Sequence, residues 1–117
     1  MIRLALAALV LTAASAQAED AVLLPTGFDG VYATEGLGCD DLGRVEVKDG
    51  VMMGAEFAIT VTDLIEFPGE PNKVEATLLN DAGGGVWTDS AVITLAGDGS
   101  LQFSYPDGSV AVWRRCD

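Results

Sequence analysis

Turn-forming residues recur at short intervals along the sequence, and this feature constrains the fold more than any other. The segments between the turns alternate apolar and polar residues, as in Arg44-Val45-Glu46-Val47-Lys48. Alternation of this kind is the pattern of a half-buried strand, and the Asp49-Gly50 pair that follows is a strong hairpin signal. No segment repeats apolar residues with the spacing of a long amphipathic helix. The sequence therefore predicts an all-β protein.

Seven or eight short strands are predicted. Residues 19–27 are expected to be irregular, the segment from Pro68 to Asn72 is expected to lie outside any strand, and Asp81 to Gly85 is expected to form a flexible turn. The predicted strands are 31–34, 44–48, 51–53, 56–67, 73–79, 86–87 with 91–96 as one continuous or broken strand, 101–105 and 110–115.

The short links between these strands limit the topology. Parallel strands need crossover connections of a dozen residues or more, so an antiparallel meander is expected. Seven or eight strands can close, or nearly close, into a small up-and-down barrel, which removes exposed strand edges. A two-sheet sandwich is the alternative. The side chains expected to fill the interior are Phe57, Ile59, Val61, Leu101 and Phe103.

The first 18 residues have the pattern of a secretory signal peptide. Arg3 precedes the apolar run Leu4 to Ala14, and Ala16-Gln17-Ala18 is a cleavage motif of small residues. The run is too short to span a bilayer, and cleavage after Ala16 is the alternative to cleavage after Ala18. We therefore predict an exported protein, periplasmic or secreted, without a membrane anchor, in which residues 19–117 form a single β-domain.

Cys39 and Cys116 are the only two cysteines. A cysteine pair in an exported chain indicates a disulfide, and a structural zinc site is disfavoured because the sequence has no histidine. The bond would close a long loop and stabilise the fold by roughly 4 kcal/mol. It would also bring the end of the last strand close to the beginning of the domain, which favours a closed sheet.

The residue types argue against catalysis. Without histidine, neither a Ser-His-Asp nor a Cys-His arrangement can form, and no serine lies in a nucleophile-elbow motif. Asp40, Asp41, Asp81 and Asp98 offer oxygen ligands for calcium, but they do not match a calcium-loop pattern, and turn formation explains them. Gly83-Gly84-Gly85 lacks the features of a phosphate-binding loop. The sequence predicts no catalytic residue, no metal site, no cofactor and no enzymatic activity.

The chain is strongly acidic, with 18 acidic and 6 basic residues and a net charge of −12. Removal of the signal takes away Arg3 and no acidic residue, so the charge becomes −13. This charge excludes nucleic-acid binding through a basic face. It keeps a monomer soluble, and it also favours a cationic protein as partner. Arg114-Arg115 is the only basic cluster, and we expect one arginine to pack over an aromatic ring while the other pairs with carboxylates.

Several residues together resemble small periplasmic proteins of Gram-negative bacteria whose function is uncharacterised. These residues are Phe28-Asp29-Gly30-Val31-Tyr32, Cys39-Asp40, Asp49-Gly50, Asp107-Gly108 and Trp113-Arg114-Arg115-Cys116. The resemblance implies a small exported β-rich domain and no particular activity. Gly30-x-Tyr32 with a late arginine is also similar to the lipocalin G-x-W motif and its packing arginine. The small size, export and predicted disulfide barrel are similar to the periplasmic lysozyme inhibitors.

Three functions remain open at this stage. The first is a non-enzymatic β-domain that binds a partner protein or a small ligand. The second is an inhibitor of a cationic hydrolase such as lysozyme, and the third is a lipocalin-like carrier of a small molecule. A carrier would need an internal cavity of about 300 Å³ or more. The sequence indicates no individual ligand-binding residue.

Overall fold

A computed structural model describes residues 21–40 and 42–116, and the predicted signal peptide at 1–18 lies outside this range. The described chain forms a closed barrel of eight antiparallel strands in which each strand pairs with the next one along the sequence. The strands are β1 (Gly30–Ala33), β2 (Arg44–Lys48), β3 (Val51–Met53), β4 (Phe57–Phe67), β5 (Glu70–Ala82), β6 (Gly85–Leu95), β7 (Leu101–Ser104) and β8 (Val110–Arg115).

The first and last strands close the barrel. Tyr32 and Ala33 of β1 lie opposite Arg115 and Arg114 of β8 in an antiparallel pair. This pairing confirms the predicted barrel over the two-sheet sandwich. The hairpin signal at Asp49-Gly50 is also confirmed, because both residues have positive φ and join β2 to β3 directly.

The core lies inside the barrel, where alternate residues of each strand meet. In β2, Val45 and Val47 are buried while their neighbours point to solvent. Of the five side chains predicted to fill the interior, Val61, Leu101 and Phe103 are buried, and Phe57 and Ile59 pack against the core while remaining partly exposed. The largest fully buried side chains are those of Tyr32, Phe28, Phe103, Met52, Leu78, Ile93, Leu101, Val45, Val47, Val61 and Val74.

The expectation that residues 68–72 lie outside any strand is wrong. β5 begins at Glu70 and includes Pro71. The register with β4 jumps there, since Glu66 lies opposite Val74 whereas Phe67 lies opposite Glu70. Pro71 therefore falls within a bulge at the strand end, where its missing N–H is tolerated.

The expected flexible turn from Asp81 to Gly85 is much shorter in the structure. Only Gly83 and Gly84 are outside the ladder, with φ of 59° and 79°, as a two-residue primed turn requires. Of the two alternatives for the next strand, continuous or broken, β6 is the continuous one. Its middle residues, Thr88 to Ser90, lack an apolar alternation, but all of them pair with β5.

The segment before β1 closes one end of the barrel. Residues 21–25 are irregular, as the sequence predicts, whereas Thr26–Phe28 form a 3₁₀ helix that places Phe28 in the core with 1% of its surface exposed. Upstream, the Val22 N–H donates to the Val61 carbonyl at 2.7 Å, so the segment is attached to β4. We call this end, formed by residues 22–29 and the end of β8, the closed end.

Candidate binding site

The predicted disulfide fastens the loop between β1 and β2 to the outside of the barrel. Cys39 and Cys116 are bonded, with Cα atoms 5.9 Å apart. The Cys116 N–H donates to the Val31 carbonyl at 2.8 Å, which continues the contact between β8 and β1 past the last paired residues. After β1, residues 34–40 leave the end of the barrel opposite the closed end and fold back to this point.

Arg115 organises the closed end. Its guanidinium lies 5.0 Å from the centre of the Tyr32 ring and donates to the Tyr32 hydroxyl oxygen at 3.1 Å. It also donates to the carbonyls of Gly27 and Asp29, at 3.1 Å and 3.4 Å. The Tyr32 hydroxyl in turn donates to the Phe28 carbonyl at 2.8 Å. The prediction that one arginine packs over an aromatic ring is therefore confirmed.

The second arginine differs from the expectation. Arg114 is exposed and donates to the Leu37 carbonyl at 3.5 Å. Within the described residues, the one salt bridge joins Lys73 and Glu70 instead. A backbone carbonyl of the loop between β1 and β2 therefore takes the place of the carboxylate that we expected near Arg114.

The opposite end of the barrel, the open end, holds an apolar groove of about 290 Å³. Trp113 of β8 forms part of its wall and is 8% exposed. The Trp113 ring is fixed by two aromatic neighbours, Phe103 at 4.5 Å and Phe57 at 6.3 Å between ring centres. The groove is open to solvent, and its other lining residues are Thr34, Ala58, Ile59, Asn80, Asp81, Ala82 and Trp87.

A small polar network orients the rim of this groove. Trp87, on β6, is 47% exposed, and its indole N–H donates to Asp89 Oδ2 at 3.1 Å. The amide of Asn80, on β5 opposite Trp87, donates to the same carboxylate oxygen at 3.5 Å and to the Trp87 carbonyl at 3.4 Å. The carboxylate thus holds an exposed aromatic ring beside an apolar groove.

An acidic cleft of about 400 Å³ lies next to the groove. Asp89 lines it from β6, and Tyr105, Pro106, Asp107 and Ser109 line it from the turn between β7 and β8. Burial, and then the negative charge of Asp89, raise the pKa of Tyr105 above its ordinary value. Hydrogen bonds from the Ser109 hydroxyl and N–H lower the pKa of Asp107, which is therefore ionised at neutral pH.

These residues form a site suited to binding. The Ser109 hydroxyl and N–H both donate to Asp107 Oδ1, at 2.6 Å and 2.9 Å, which is a local side-chain bond of the turn between β7 and β8. Among residues 21–40 and 42–116, no group of three or more Asp, Glu or Cys side chains is placed to hold a metal ion. Of the acids weighed as calcium ligands, Asp81 lines the groove, while Asp98 accepts hydrogen bonds from Ser100 in a turn.

Sequence reasoning did not single out Trp87, Asn80 or Asp89 as site residues. One signal was present, because the inward positions of β5 are Val74, Ala76, Leu78 and then Asn80. A polar residue that interrupts an inward apolar series needs a hydrogen-bond partner, and here that partner is the rim of the groove.

Comparisons of the chain with protein-family models, with curated proteins and with solved structures give no significant match. The described residues also contain no helix with the length and hydrophobicity needed to span a membrane. Any function assigned to this protein must therefore be argued from the site itself.

Proposed function

We propose that this protein is an exported, non-enzymatic binding domain that docks a partner protein at the open end of its barrel. The observation that carries the proposal is the apolar groove walled by Trp113 and Phe57, with the exposed Trp87 at its rim. An aromatic residue beside an apolar pocket is typical of the centre of a protein interface. The cysteine pair and the signal-like residues 1–18 support export.

The size of the groove favours a partner side chain over an enclosed small molecule. Ligand pockets of 300–1,000 Å³ surround most of a bound drug-sized molecule. The open-end groove is at the lower limit, about 290 Å³, and it is open to solvent. The barrel interior behind it is filled by side chains such as Met52, Leu78 and Ile93. This arrangement supports docking of one apolar side chain more than a lipocalin-like carrier role.

The charge of the chain supports a basic partner. The net charge is −12, and Asp81, Asp89 and Asp107 line the groove and the neighbouring cleft. None of the described residues that line these two depressions is Lys or Arg. Opposite charge accelerates association and opposes docking of acidic proteins.

Blocked amino-acid amides can test the groove, because they imitate single partner side chains. We expect N-acetyl-phenylalanine amide and N-acetyl-leucine amide to produce saturable amide shifts in NMR spectra at Asn80, Trp87 and Trp113. Trp87→Ala should abolish saturation. Ile65→Ala is the matched control, because Ile65 is also an exposed apolar residue of a strand but lies outside the groove. Shifts that are absent, scattered, or unchanged in Trp87→Ala would contradict the proposal.

Inhibition of a cationic hydrolase is a second candidate, favoured by the charge alone. The acids lie at both ends of the barrel, for example Asp29 and Asp49 near the closed end and Asp89 and Asp107 at the open end. A cell-wall lysis assay with lysozyme at two salt concentrations tests this candidate. Protection at low salt that weakens at high salt would support it, and no protection at low salt would exclude lysozyme as the target.

A further inference from the structure

The β6 strand is much longer than the neighbour on one of its sides. Residues 85–94 pair with β5 along their whole length, but pairing with β7 covers only Val92–Leu95. After Ser104 the chain turns away, with the Tyr105 N–H donating to the Ser109 carbonyl at 2.9 Å. In the described part of the chain, residues 85–91 therefore have a strand on one side only, and this free edge of β6 leaves backbone donors and acceptors unpaired.

We propose that the free edge of β6 binds an extended, basic segment of the partner protein as an added β-strand. This inference rests on the proposed function and names how the partner is recognised. Strand addition to an exposed edge derives affinity from main-chain hydrogen bonds and specificity from alternate side chains. The free edge supplies the main-chain groups, and the open-end groove and acidic cleft supply the places for side chains.

The side chains of β6 place the free edge and the two depressions in one site. Trp87 and Asp89 lie opposite the inward residues Asn80 and Leu78 of β5, so they face the same side as the groove. The acidic cleft opens where β7 leaves β6, between Asp89 and Tyr105. An added strand would take the position that β7 vacates, and its alternate side chains would reach the groove and the cleft.

Charge complementarity determines the occupant. An apolar side chain of the segment fits the groove, and a Lys or Arg two residues along, on the same face of the strand, fits the cleft, where Asp89 and Asp107 lie. A second copy of this chain is a poorer occupant, because it carries the same net charge of −12 and would bring acid against acid. An inward-pointing charge such as Asp89 is also a known device against pairing between identical edges.

Three synthetic peptides, each long enough to span residues 85–91, can test the inference. The first carries Val and Lys two positions apart, so that both lie on the same face of the strand, with Thr at the positions between them. The second replaces each Lys with Glu, and the third is the Lys peptide with alternate backbone nitrogens methylated on the edge that would pair. We expect the Lys peptide to bind at least roughly tenfold more tightly than the other two in calorimetry. It should also slow hydrogen exchange at alternate amides of residues 85–91.

Two Asp→Asn variants show whether the charge acts locally. Asp89→Asn keeps an oxygen that can accept a hydrogen bond from Trp87, and it should lower the affinity for the Lys peptide by roughly three- to tenfold. Asp63→Asn is the matched control, because Asp63 is an exposed acid of β4 outside both depressions, and its effect should stay below about twofold. Equal losses in the two variants would overturn a specific role for the cleft.

The remaining outcomes separate this inference from the proposed function. Equal binding of the Lys and Glu peptides would overturn the basic partner, and undiminished binding of the methylated peptide would overturn strand addition. Slow exchange in the free protein at the alternate amides of residues 85–91 that do not bond to β5 would show that the edge is already covered. The cover would be a second copy if protection depends on concentration, and otherwise the chain's own residues. If the blocked amides still shift Trp87 and Trp113 while the peptides fail, only this inference falls; if both fail, the proposed function falls too.

Discussion

The two ends of this barrel are built from the same eight strands but differ in what covers them. At the closed end, Phe28 fills the core and the Arg115 guanidinium contacts Tyr32 and donates to three backbone carbonyls. At the open end, Trp87 is half exposed and Asn80 makes hydrogen bonds of 3.4–3.5 Å. A hydrogen bond to a buried group stabilises a fold more than an exposed one, and Tyr32 is fully buried whereas the bond between Trp87 and Asp89 is exposed. We therefore expect stability to depend mainly on the closed end and binding on the open end.

The disulfide should give the largest effect on stability, because it ties the loop from the open end to the strand that completes the closed end. Its cysteines are 77 positions apart, and the double substitution of Cys39 and Cys116 by Ala should lower the free energy of unfolding by about 4 kcal/mol. Urea unfolding monitored by circular dichroism measures this change. A loss of unfolding free energy below about 1 kcal/mol would show that strand pairing between β1 and β8 is sufficient to keep the barrel closed.

The two neighbouring arginines provide a matched test of the closed end. Arg115→Ala removes the contact with Tyr32 and the bonds to Gly27 and Asp29, so it should cost roughly 2–3 kcal/mol. Arg114→Ala removes an exposed side chain with one long hydrogen bond and should change stability by less than about 0.5 kcal/mol. Thermal or urea unfolding of both variants gives the comparison, and equal costs would contradict the special role of the closed end.

The fold was predictable where the deciding interactions are local. The alternation of Arg44 to Lys48 and the Asp49-Gly50 turn specify a hairpin without reference to the rest of the chain. The cysteine pair then indicated closure, because it brings the last strand to the first. Residues 88–90 had no such local signal, since Thr88, Asp89 and Ser90 are all polar, and only pairing with β5 makes them a strand.

The site was not predictable, because it depends on unequal strand lengths. A groove exists at the open end since β5 and β6 extend beyond the end of β7, and no local pattern states where a neighbouring strand stops. Asn80 was the one local sign, as a polar residue at an inward position of β5. The same dependence on neighbours explains Pro71, which a strand tolerates only because the register with β4 is interrupted there.

Trp87→Ala should separate binding from stability at the open end. Because the Trp87 side chain is 47% exposed, its removal should cost less than about 1 kcal/mol of unfolding free energy. Trp113 remains as the only tryptophan of this variant, and its 8% exposure should make the fluorescence resistant to acrylamide quenching. A large loss of stability, or easy quenching of Trp113, would mean that Trp87 is part of the core rather than of a binding rim.

The smallest effects are expected from two aspartates, one at each end, whose contributions depend on pH with opposite sign. Burial, and then Asp49, raise the pKa of Asp29 above its ordinary value of 3.8, although Lys48 opposes this. The folded state therefore binds the Asp29 proton more tightly than the unfolded state does, and this stabilisation is present in acid and lost as the pH rises through the raised pKa. For Asp107, whose pKa is lowered from 3.8 by Ser109, stabilisation is present above 3.8 and lost as the pH falls through the lowered pKa.

Relative to the unsubstituted protein, Asp29→Asn should therefore be slightly more stable at neutral pH, and this advantage should vanish in acid, where Asp29 itself is neutral. Asp107→Asn should be slightly less stable at neutral pH, and this deficit should shrink in acid. Thermal unfolding of the three proteins between neutral pH and about pH 3 measures both trends. Stability differences of the same sign in both variants would contradict this contrast. They would mean that the overall negative charge, which either substitution reduces, outweighs the local surroundings of the two aspartates.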